Sequence, residues 1–424
     1  MKKFKLFALL FALMPVLTKA SDIFVNEFGT GGAYSTISAA ITAASPNDRI
    51  IIKPRSGNAA YAENLSINKP LQLMSATDST QWKLQGNVTF GAMAAGEYYA
   101  IIGMFDQLGD VTAAAGPAAT PRARLFINGC SLTAGSISVS GNNIEFTLAN
   151  SNLDAGTLTA HFIRAFGNTI SAVPAASATS IVTITNDATA SNDTCYFVGN
   201  TVVNANFQGS GYFINGSIIK WSNSTQFHCI MNNFVKGFNP YSNSSSASGI
   251  EVSSSKNGAG TNCIINNTVY MFTAVAGNNG YPIPYGISFT PSLTATCQVF
   301  NNVCVGPIGT AFYKSNTNNA TVSYNFCSGT FSGGIVNDGT NGTIASTSIS
   351  SSTGLSSVLD NGYPSPVFYD TDLTVNDAGC YGGSFTLYNY QPLRTGSTRV
   401  YFVDAPRSVV QGGQLNIKAE GYDR

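Results

Sequence analysis

The phrase CYFVGNTV at residues 195–202 recurs three times further along the chain, as CIMNNFV at 229–235, CIINNTV at 263–269 and CQVFNNVCV at 297–305. The cysteines that open these four phrases follow one another at intervals of 34 residues. A fixed interval of roughly 20 to 50 residues indicates a repeat architecture. In every phrase a short apolar segment runs into asparagine and then into a second apolar segment, which is typical of two short strands joined by a turn.

The repeated asparagines and cysteines predict two stacks of side chains. If each repeat forms one turn of a coil, equivalent residues lie about 4.8 Å apart along its axis. We therefore expect an asparagine ladder at one turn and a stack of inward cysteines as small apolar fillers. The alternative is that asparagine marks unrelated turns, which it also favours. The predicted ladder residues are Cys195, Cys229, Cys263, Cys297, Asn200, Asn233, Asn267 and Asn302, and the apolar-Asn-apolar pattern recurs at Asn128, Asn168, Asn215 and Asn325.

The predicted stacking of the cysteines on neighbouring strands also leads to an expectation about their redox state. Side chains that project in parallel from neighbouring strands meet the dihedral angle of a disulfide poorly. We therefore predict buried thiols. Disulfides remain the alternative, because eight cysteines ordinarily suggest them if a chain is exported.

The N-terminal region predicts a helix that covers the open end of the coil. Within residues 35–44, Ile37, Ala40 and Ile41 fall on one face at helical spacing, and a serine is available as a cap. A stack of strands needs such a cover because its terminal strand exposes unpaired backbone groups. At the other end, residues 398–424 hold two apolar strands around a Gly-Gly turn, which predicts a β-hairpin that caps the last coil or docks onto a partner.

The order of these segments resembles a known superfamily. YSTISAAITAA at 34–44, DRIIIKP at 48–54 and YAENLSINKPLQLM at 61–74 resemble the N-terminal cap and first coils of secreted proteins of the pectin-lyase-like superfamily. NDAGCYGG at 376–383 is similar to the phrase that often follows the last coil in these proteins. The resemblance implies an all-β right-handed parallel β-helix. The expected division is a signal peptide at 1–20, the cap and first coils at 21–75, the β-helix at 76–383 and C-terminal strands at 384–424.

The composition and the N-terminal segment limit where the protein can be located and which partners it can bind. Lys2, Lys3 and Lys5 precede an apolar run, and the segment ends in Thr18, Lys19 and Ala20, which predicts a cleaved signal peptide. We therefore expect an exported protein that is not membrane-inserted and that resides in the periplasm, on the cell surface or outside the cell. The chain has 21 basic and 21 acidic residues and only 10% charged residues in all, without the basic stripe that a nucleic-acid partner requires.

The superfamily contains pectate lyases, pectin methylesterases and polygalacturonases, so the resemblance raises the question of catalysis. The chain has neither the Asp-Asp pair nor the Gly-His-Gly phrase of polygalacturonases, and it lacks the GxxDFIFG and LGRPW phrases of methylesterases. A lyase needs several carboxylates to hold calcium, yet Glu251 is the sole acid between residues 194 and 336. We therefore predict no catalytic residue, metal or cofactor. The alternative is an unfamiliar polysaccharide-active site that uses Asp154, Asp187 or Glu251.

Other polar residues have plain structural interpretations. We expect His161 and His228 at turns or coil edges, because neither has the neighbours of a zinc site. A late group of acids is interpreted as a solvated loop, with a calcium site that staples the C-terminal coils as the alternative. That group comprises Asp360, Asp370, Asp372 and Asp377.

Two insertions at equivalent positions of neighbouring repeats, residues 239–249 and 278–286, are the best candidates for a binding surface. Their Tyr241, Tyr281 and Tyr285 are suited to stack on sugar rings or to anchor a protein, unless they pack onto the coil beneath. The sequence thus favours a noncatalytic structural, adhesive or interaction subunit of a bacterial surface assembly. Its expected partner is a cell-surface or outer-membrane protein or a polysaccharide. A polysaccharide lyase or hydrolase and a carbohydrate-binding module are the alternatives.

Overall fold

The computed structural model describes residues 20–77, 80–172, 180–204, 216–238, 248–272, 285–306, 309–336, 338–345, 358–390, 399–405, 412, 414–415 and 417–422. The predicted signal peptide up to residue 19 lies outside the described residues. Three other residues named above, Asn215, Tyr241 and Tyr281, lie outside them as well.

The described strands stack into three long parallel sheets, here called A, B and C. Sheet A comprises Asp22–Val25, Arg49–Ile52, Gln72–Ser75, Tyr98–Ile102, Ala123–Asn128, Ile144–Ala149, Phe162–Phe166, Thr194–Val198, Phe227–Met231, Thr261–Ile265, Thr296–Phe300 and Thr321–Ser323. Sheet B comprises Trp82–Leu84, Met104–Asp106, Ser131–Leu132, Asn152–Leu153, Thr169–Ala172, Thr201–Asn204, Phe234–Phe238, Thr268–Phe272, Val303–Val305, Phe326–Cys327 and Gly342–Thr343. Sheet C comprises Leu65–Ile67, Val88–Phe90, Val111–Ala113, Ile137–Val139, Leu158–Ala160, Val182–Ile184, Ile219–Trp221, Ser248–Val252, Tyr285–Phe289, Thr310–Lys314 and Thr330–Ser332.

From the strand Gln72–Ser75 to the strand Thr330–Ser332 the chain visits the sheets in the order A, B, C and then returns to A, so each of these coils adds one strand to each sheet. Such parallel connections are right-handed, and the predicted right-handed parallel β-helix is confirmed. Alternate residues of every strand face the interior. In sheet C the strands are mostly triplets such as Val88–Phe90, in which two buried apolar residues flank one outward polar residue. One continuous core therefore runs through the solenoid.

The predicted helix covers the N-terminal end as helix α1, Ile37–Ala43. Its buried face consists of Ile37, Ala40 and Ile41. The hydroxyl of Thr36 caps the helix by accepting a hydrogen bond from the Ala39 amide at 3.2 Å, so the cap is threonine and not serine. The Glu63 carboxylate of the next coil accepts from the amides of Ile37 and Ser38, both at 2.9 Å. A carboxylate at this end also interacts favourably with the helix dipole.

The coils end earlier than the predicted boundary at 383. The last described strand of the three sheets is Gly342–Thr343, and residues 358–390 form turns with short 3-10 segments at Pro366–Phe368 and Leu387–Asn389. This segment lies along the outside of the solenoid. The Asn266 Nδ2 donates to the Asp377 carbonyl at 2.9 Å. The phrase at 376–383 therefore lies beside the central coils.

The C-terminal strand pair, Arg399–Asp404 with Lys418–Tyr422, is antiparallel. The expectation that it caps the last coil is wrong, because it lies on the outer face of sheet A over the central coils. Phe402 packs against Phe166 and Tyr196 at ring distances of 5.0 and 5.1 Å. The reason is that the outer face of sheet A is itself apolar and must be covered. Its outward residues include Phe126, Phe166, Met231, Ile265 and Phe300.

Candidate functional site

The asparagines of the repeated phrases form a ladder at the turn between sheets A and B. In each rung the side-chain amide donates to the Oδ1 atom of the next rung, at 3.0 Å from Asn200 to Asn233 and at 2.9 Å from Asn233 to Asn267. The backbone amide of each rung donates to the same Oδ1 atom. The ladder contains Asn168, Asn200, Asn233, Asn267, Asn302, Asn325 and Asn341.

The residue before each rung explains the sequence pattern. Asn232, Asn266 and Asn301 adopt positive φ angles of 54 to 55°, a region that asparagine and glycine tolerate best. Gly199 takes this position before Asn200. Asn128 departs from the pattern, because Gly129 provides the positive φ and Cys130 follows as the rung. The amide of Cys130 donates to the hydroxyl of Ser151, which continues the ladder.

The predicted single stack of four inward cysteines is wrong. Five positions separate Cys195 from Asn200, but only four separate Cys229 from Asn233. Since successive strand residues point to opposite faces, Cys195 and Cys297 face the core whereas Cys229 and Cys263 face outward. In register, Cys195 is opposite His228, and Cys229 is opposite Cys263.

The prediction of thiols holds for six cysteines and is wrong for one pair. Cys229 and Cys263 form a disulfide, with their Cα atoms 4.7 Å apart. Burial raises the pKa of the Cys195 and Cys297 thiols to about 12, so both stay protonated. The free thiols are Cys130, Cys195, Cys297, Cys304, Cys327 and Cys380.

A regular polar surface covers the outer face of sheet C, and the sequence prediction did not include it. One residue of each strand is opposite its equivalent in the next coil, which gives one continuous stack, here called the hydroxyl column. Its side chains are exposed or half-buried except that of Ser288, which is buried and hydrogen-bonded to the Ser248 hydroxyl. Nine of its eleven side chains carry a hydroxyl group. In chain order the column is Ser66, Thr89, Thr112, Ser138, Thr159, Thr183, Lys220, Glu251, Ser288, Tyr313 and Ser332.

A sequence signal for this column exists. The pattern of glycine, polar, apolar, Ser or Thr, apolar occurs as GNVTF at 86–90, GDVTA at 109–113, GSISV at 135–139 and GTLTA at 156–160. The unequal intervals between these phrases hide the repeat from a search for one fixed period. The glycines are required by close packing of the coils, since a Cβ atom on Gly135 would lie 1.7 Å from the Gly109 carbonyl oxygen.

Of the three tyrosines proposed for binding, Tyr285 is the one that the described residues include. It lies in sheet C, half-buried, and its ring stacks on that of Tyr313 with centroids 4.7 Å apart and an angle of 7° between the planes. Tyr313 belongs to the hydroxyl column. The pair therefore places an aromatic surface at the C-terminal part of the same face.

The three carboxylates of the catalytic alternative have separate structural partners. The Asp154 carboxylate accepts from the Asn152 side chain at 2.7 Å. The buried Asp187 accepts from the Asn143 amide at 2.8 Å and pairs with Arg122 at 3.4 Å. The Glu251 carboxylate accepts from the Ser217 hydroxyl at 2.5 Å.

The histidines and the late acids are likewise engaged in structure. His161 lies at a turn between two strands, as expected, but His228 lies within the strand Phe227–Met231 and faces the core, so its predicted turn position is wrong. Asp370 accepts from the amides of Gly383 and Asp377. Burial raises the pKa of the Asp370 carboxyl to about 6. Across the described ranges, no group of three or more His, Cys, Asp or Glu side chains is placed to hold a metal ion.

A cavity of about 670 Å³ lies between the outer face of sheet A and the C-terminal segment. Strands of the central coils form its floor, where the disulfide of Cys229 and Cys263 is located. Its other wall comes from residues 367–368, 383–385, 402–403, 405 and 414. The rings that line it belong to Tyr196, Phe368, Phe385 and Phe402.

Within the part of the chain that the structure covers, the helices are too short or too polar to cross a membrane. No protein-family model matches the chain, and no curated protein matches it. Among solved structures, the crystal structure of pectate lyase Pel9A is similar, with a TM-score of 0.49 and 14% identity over 87% of this chain and 98% of that chain. The fold assignment rests on the three stacked parallel sheets of the chain itself.

Proposed function

We propose that the protein is a noncatalytic, exported β-helix that serves as an adhesive or interaction subunit at a bacterial cell surface. Its hydroxyl column on sheet C holds a linear, uncharged polysaccharide. The observation that carries this proposal is the composition of the column, in which nine of eleven stacked side chains are Ser, Thr or Tyr and eight of these nine are exposed or half-buried.

The chemistry of the column suits sugar hydroxyls. A Ser or Thr hydroxyl both donates and accepts hydrogen bonds, as each sugar hydroxyl does. With strands about 4.8 Å apart, the eleven positions extend over about 48 Å, so many weak contacts act on one chain. Threonine is stiff at χ1, which lowers the entropy lost on binding. The stacked Tyr285 and Tyr313 add an aromatic surface for a sugar ring.

The arrangement of charges favours binding without cleavage. Hydrolysis of a glycosidic bond requires two carboxylates that act together. Glu251 is the single acid of the hydroxyl column, and its neighbour in the column is Lys220. Its carboxylate accepts a hydrogen bond from the Ser217 hydroxyl, which holds it in the local structure.

Co-sedimentation with insoluble neutral glycans tests the proposal. The purified protein is mixed with microcrystalline cellulose, insoluble xylan or insoluble mannan, and the bound fraction is measured. We expect binding to at least one of them, and a drop of about tenfold in affinity for the double variant Thr112→Lys with Thr159→Lys. The matched control is Thr296→Lys with Thr321→Lys, which places two lysines at exposed threonines of sheet A and leaves binding unchanged.

Three results would overturn the proposal. The protein fails to bind any of the three glycans, the sheet C variant binds as well as the wild type, or incubation with a glycan releases reducing ends or unsaturated uronides. The surface location is tested separately. Mass spectrometry of the protein recovered from cells is expected to find an N-terminus near residue 21 and a stoichiometric envelope partner.

A further inference from the structure

We propose that Cys229, Cys263 and Met231 form a binding site for a soft, thiophilic cation such as Cu(I), which opens when the disulfide between the two cysteines is reduced. The site lies on the outer face of sheet A, at the floor of the cavity beneath the C-terminal segment. It is separate from the hydroxyl column of sheet C and does not depend on the proposed function.

The spacing of the two cysteines matches a linear dithiolate complex. They are directly opposite in neighbouring parallel strands, with their Cα atoms 4.7 Å apart. Side chains that project in parallel hold their sulfurs at about the strand spacing once the disulfide is broken. Two metal–sulfur bonds of about 2.3 Å in a line span about 4.6 Å. A cation therefore fits between the two sulfurs without movement of the backbone.

Met231 supplies a third sulfur. It lies two residues after Cys229 in the same strand, so it faces the same side of sheet A, and it lines the same cavity. Its long, unbranched side chain is able to reach toward the cysteines. Two thiolates and a thioether form a donor set that prefers Cu(I) to hard cations, which require oxygen ligands.

The surroundings of the site suit a soft cation of low charge. Eighteen described residues line the cavity, and the ionisable side chains among them are Cys229, Cys263 and Tyr196. The amide side chains of Asn232 and Asn266 donate to carbonyl groups of the C-terminal segment. The sulfur atoms are thus the strongest metal ligands that the described lining residues present.

A second pair of opposed cysteines provides an internal comparison. Cys304 and Cys327 are also directly opposite in neighbouring strands, of sheet B, but both face the closed core. Burial raises the pKa of Cys304 well above its usual range and that of Cys327 to about 11. This pair has the same spacing without access to solvent, so access to the cavity distinguishes the two pairs.

The chemistry requires a dithiol reductant such as dithiothreitol. The reductant transfers two electrons and two protons to the Cys229–Cys263 disulfide and becomes a cyclic disulfide, which leaves two protein thiols. Binding of Cu(I) then forms two sulfur–copper bonds and releases the two thiol protons to the buffer. The oxidation state of the copper does not change.

The test is a copper titration of the full chain in both redox states. The reduced protein, freed of dithiothreitol without oxygen, is titrated with acetonitrile-stabilised Cu(I), and bound copper is measured after desalting. Ultraviolet absorbance reports thiolate coordination. We expect about one copper per reduced chain and none in the disulfide form. Cys229→Ser is expected to lose the copper, Met231→Leu to hold it about tenfold more weakly, and Cys304→Ser to bind as the wild type does.

Several outcomes would overturn this inference. They are the absence of copper from the reduced wild type, equal binding by the disulfide form, and retention of copper by Cys229→Ser. Loss of copper in Cys304→Ser with retention in Cys263→Ser would assign the metal to the core pair instead. Unchanged circular dichroism of each variant establishes that the difference concerns the site and not folding.

Discussion

The side-chain amide of Asn233 donates to Oδ1 of Asn267 at 2.9 Å, and Asn267 repeats the same bond to Asn302 at the same distance. Each of these side chains also satisfies a backbone group of a neighbouring coil. The Asn267 Oδ1 atom accepts from the Asn233 backbone amide, and its Nδ2 atom donates to the Ile230 carbonyl. At these rungs the turn between sheets A and B is therefore buried with the polar groups of the ladder paired.

This bonding predicts that Asn267→Ala is strongly destabilising. The change leaves the Asn233 amides and the Ile230 carbonyl without partners in a buried turn. Each buried orphan costs roughly 1 to 3 kcal/mol, so we expect a loss of about 3 kcal/mol in the free energy of unfolding. Urea unfolding followed by circular dichroism measures it. Asn68→Ala removes an exposed amide and serves as the control. Equal stability of the two variants would contradict the structural role of the ladder.

The glycines that precede the sheet C strands, such as Gly135, are predicted not to tolerate replacement even by alanine. A Cβ atom at Gly135 would lie 1.7 Å from the carbonyl oxygen of Gly109, so the coils must separate. We expect Gly135→Ala to lower the free energy of unfolding by about 3 kcal/mol. Thermal unfolding checks this against Ala134→Ser, which adds an atom at the exposed neighbouring position. A melting temperature equal to that of the control would show that the coils are not packed so closely.

The C-terminal segment that packs on the outer face of sheet A is predicted to detach locally when its main buried contact, Phe402, is removed. Phe402 is 1% exposed and packs on Phe166, Tyr196 and Phe385, so Phe402→Ala removes a buried ring worth about 3 kcal/mol. Val400, on the same strand, is 57% exposed and provides the control Val400→Ala. We expect Phe402→Ala to speed proteolysis after about residue 390 while the coils stay intact. Equal cleavage rates for the two variants would argue against this packing.

A buried histidine predicts a pH dependence of stability. His228 is 1% exposed, and burial lowers the pKa of its imidazole from 6.5 to about 3. Between these values the unfolded chain binds the proton that the folded chain excludes, so stability is lost as the pH falls from about 6.5. The loss by pH 5 is about 2 kcal/mol, since one pKa unit corresponds to about 1.4 kcal/mol.

Denaturant unfolding at pH 7 and pH 5 measures this dependence. His228→Leu places an apolar side chain of similar size in the core and is expected to flatten the difference in stability between the two pH values. His161→Leu is the comparison variant. Burial also lowers the pKa of its half-buried imidazole, but this change leaves the titration of His228 in place, so we expect it to flatten the difference less than His228→Leu does. A His228→Leu variant that keeps the full wild-type slope would show that another group causes the dependence.

The repeated phrases predicted the architecture because their pattern is local. Asn200 and Asn233 follow apolar strand residues in each coil, and a coil that stacks on an identical coil brings such residues together without further information. The helix Ile37–Ala43 was predictable for a similar reason, since its buried residues recur at helical spacing. Both depend on neighbours in sequence or on one repeat distance.

The cysteine positions were not predictable from their spacing of 34 residues. One residue more or fewer before the turn reverses the face of a strand side chain, as it does between Cys195 and Cys229. The spacing between repeats therefore determines which coil a cysteine belongs to, but not which face of the sheet its side chain is on. The disulfide and the cavity around it follow from this difference.

The sequence by itself determined the parallel β-helix, its N-terminal helix and its asparagine ladder, because each arises from short-range patterns that repetition reinforces. The tertiary structure alone decided that the C-terminal segment folds back over sheet A and that the Ser and Thr residues of sheet C align into one column. Contact between Phe402 and Phe166 joins residues more than 200 positions apart, and the alignment of Thr112 with Ser138 depends on coils of unequal length. Such relationships are set by packing and register between coils. The local phrases GNVTF, GDVTA, GSISV and GTLTA indicate single strands of sheet C, but they do not say which strands are neighbours.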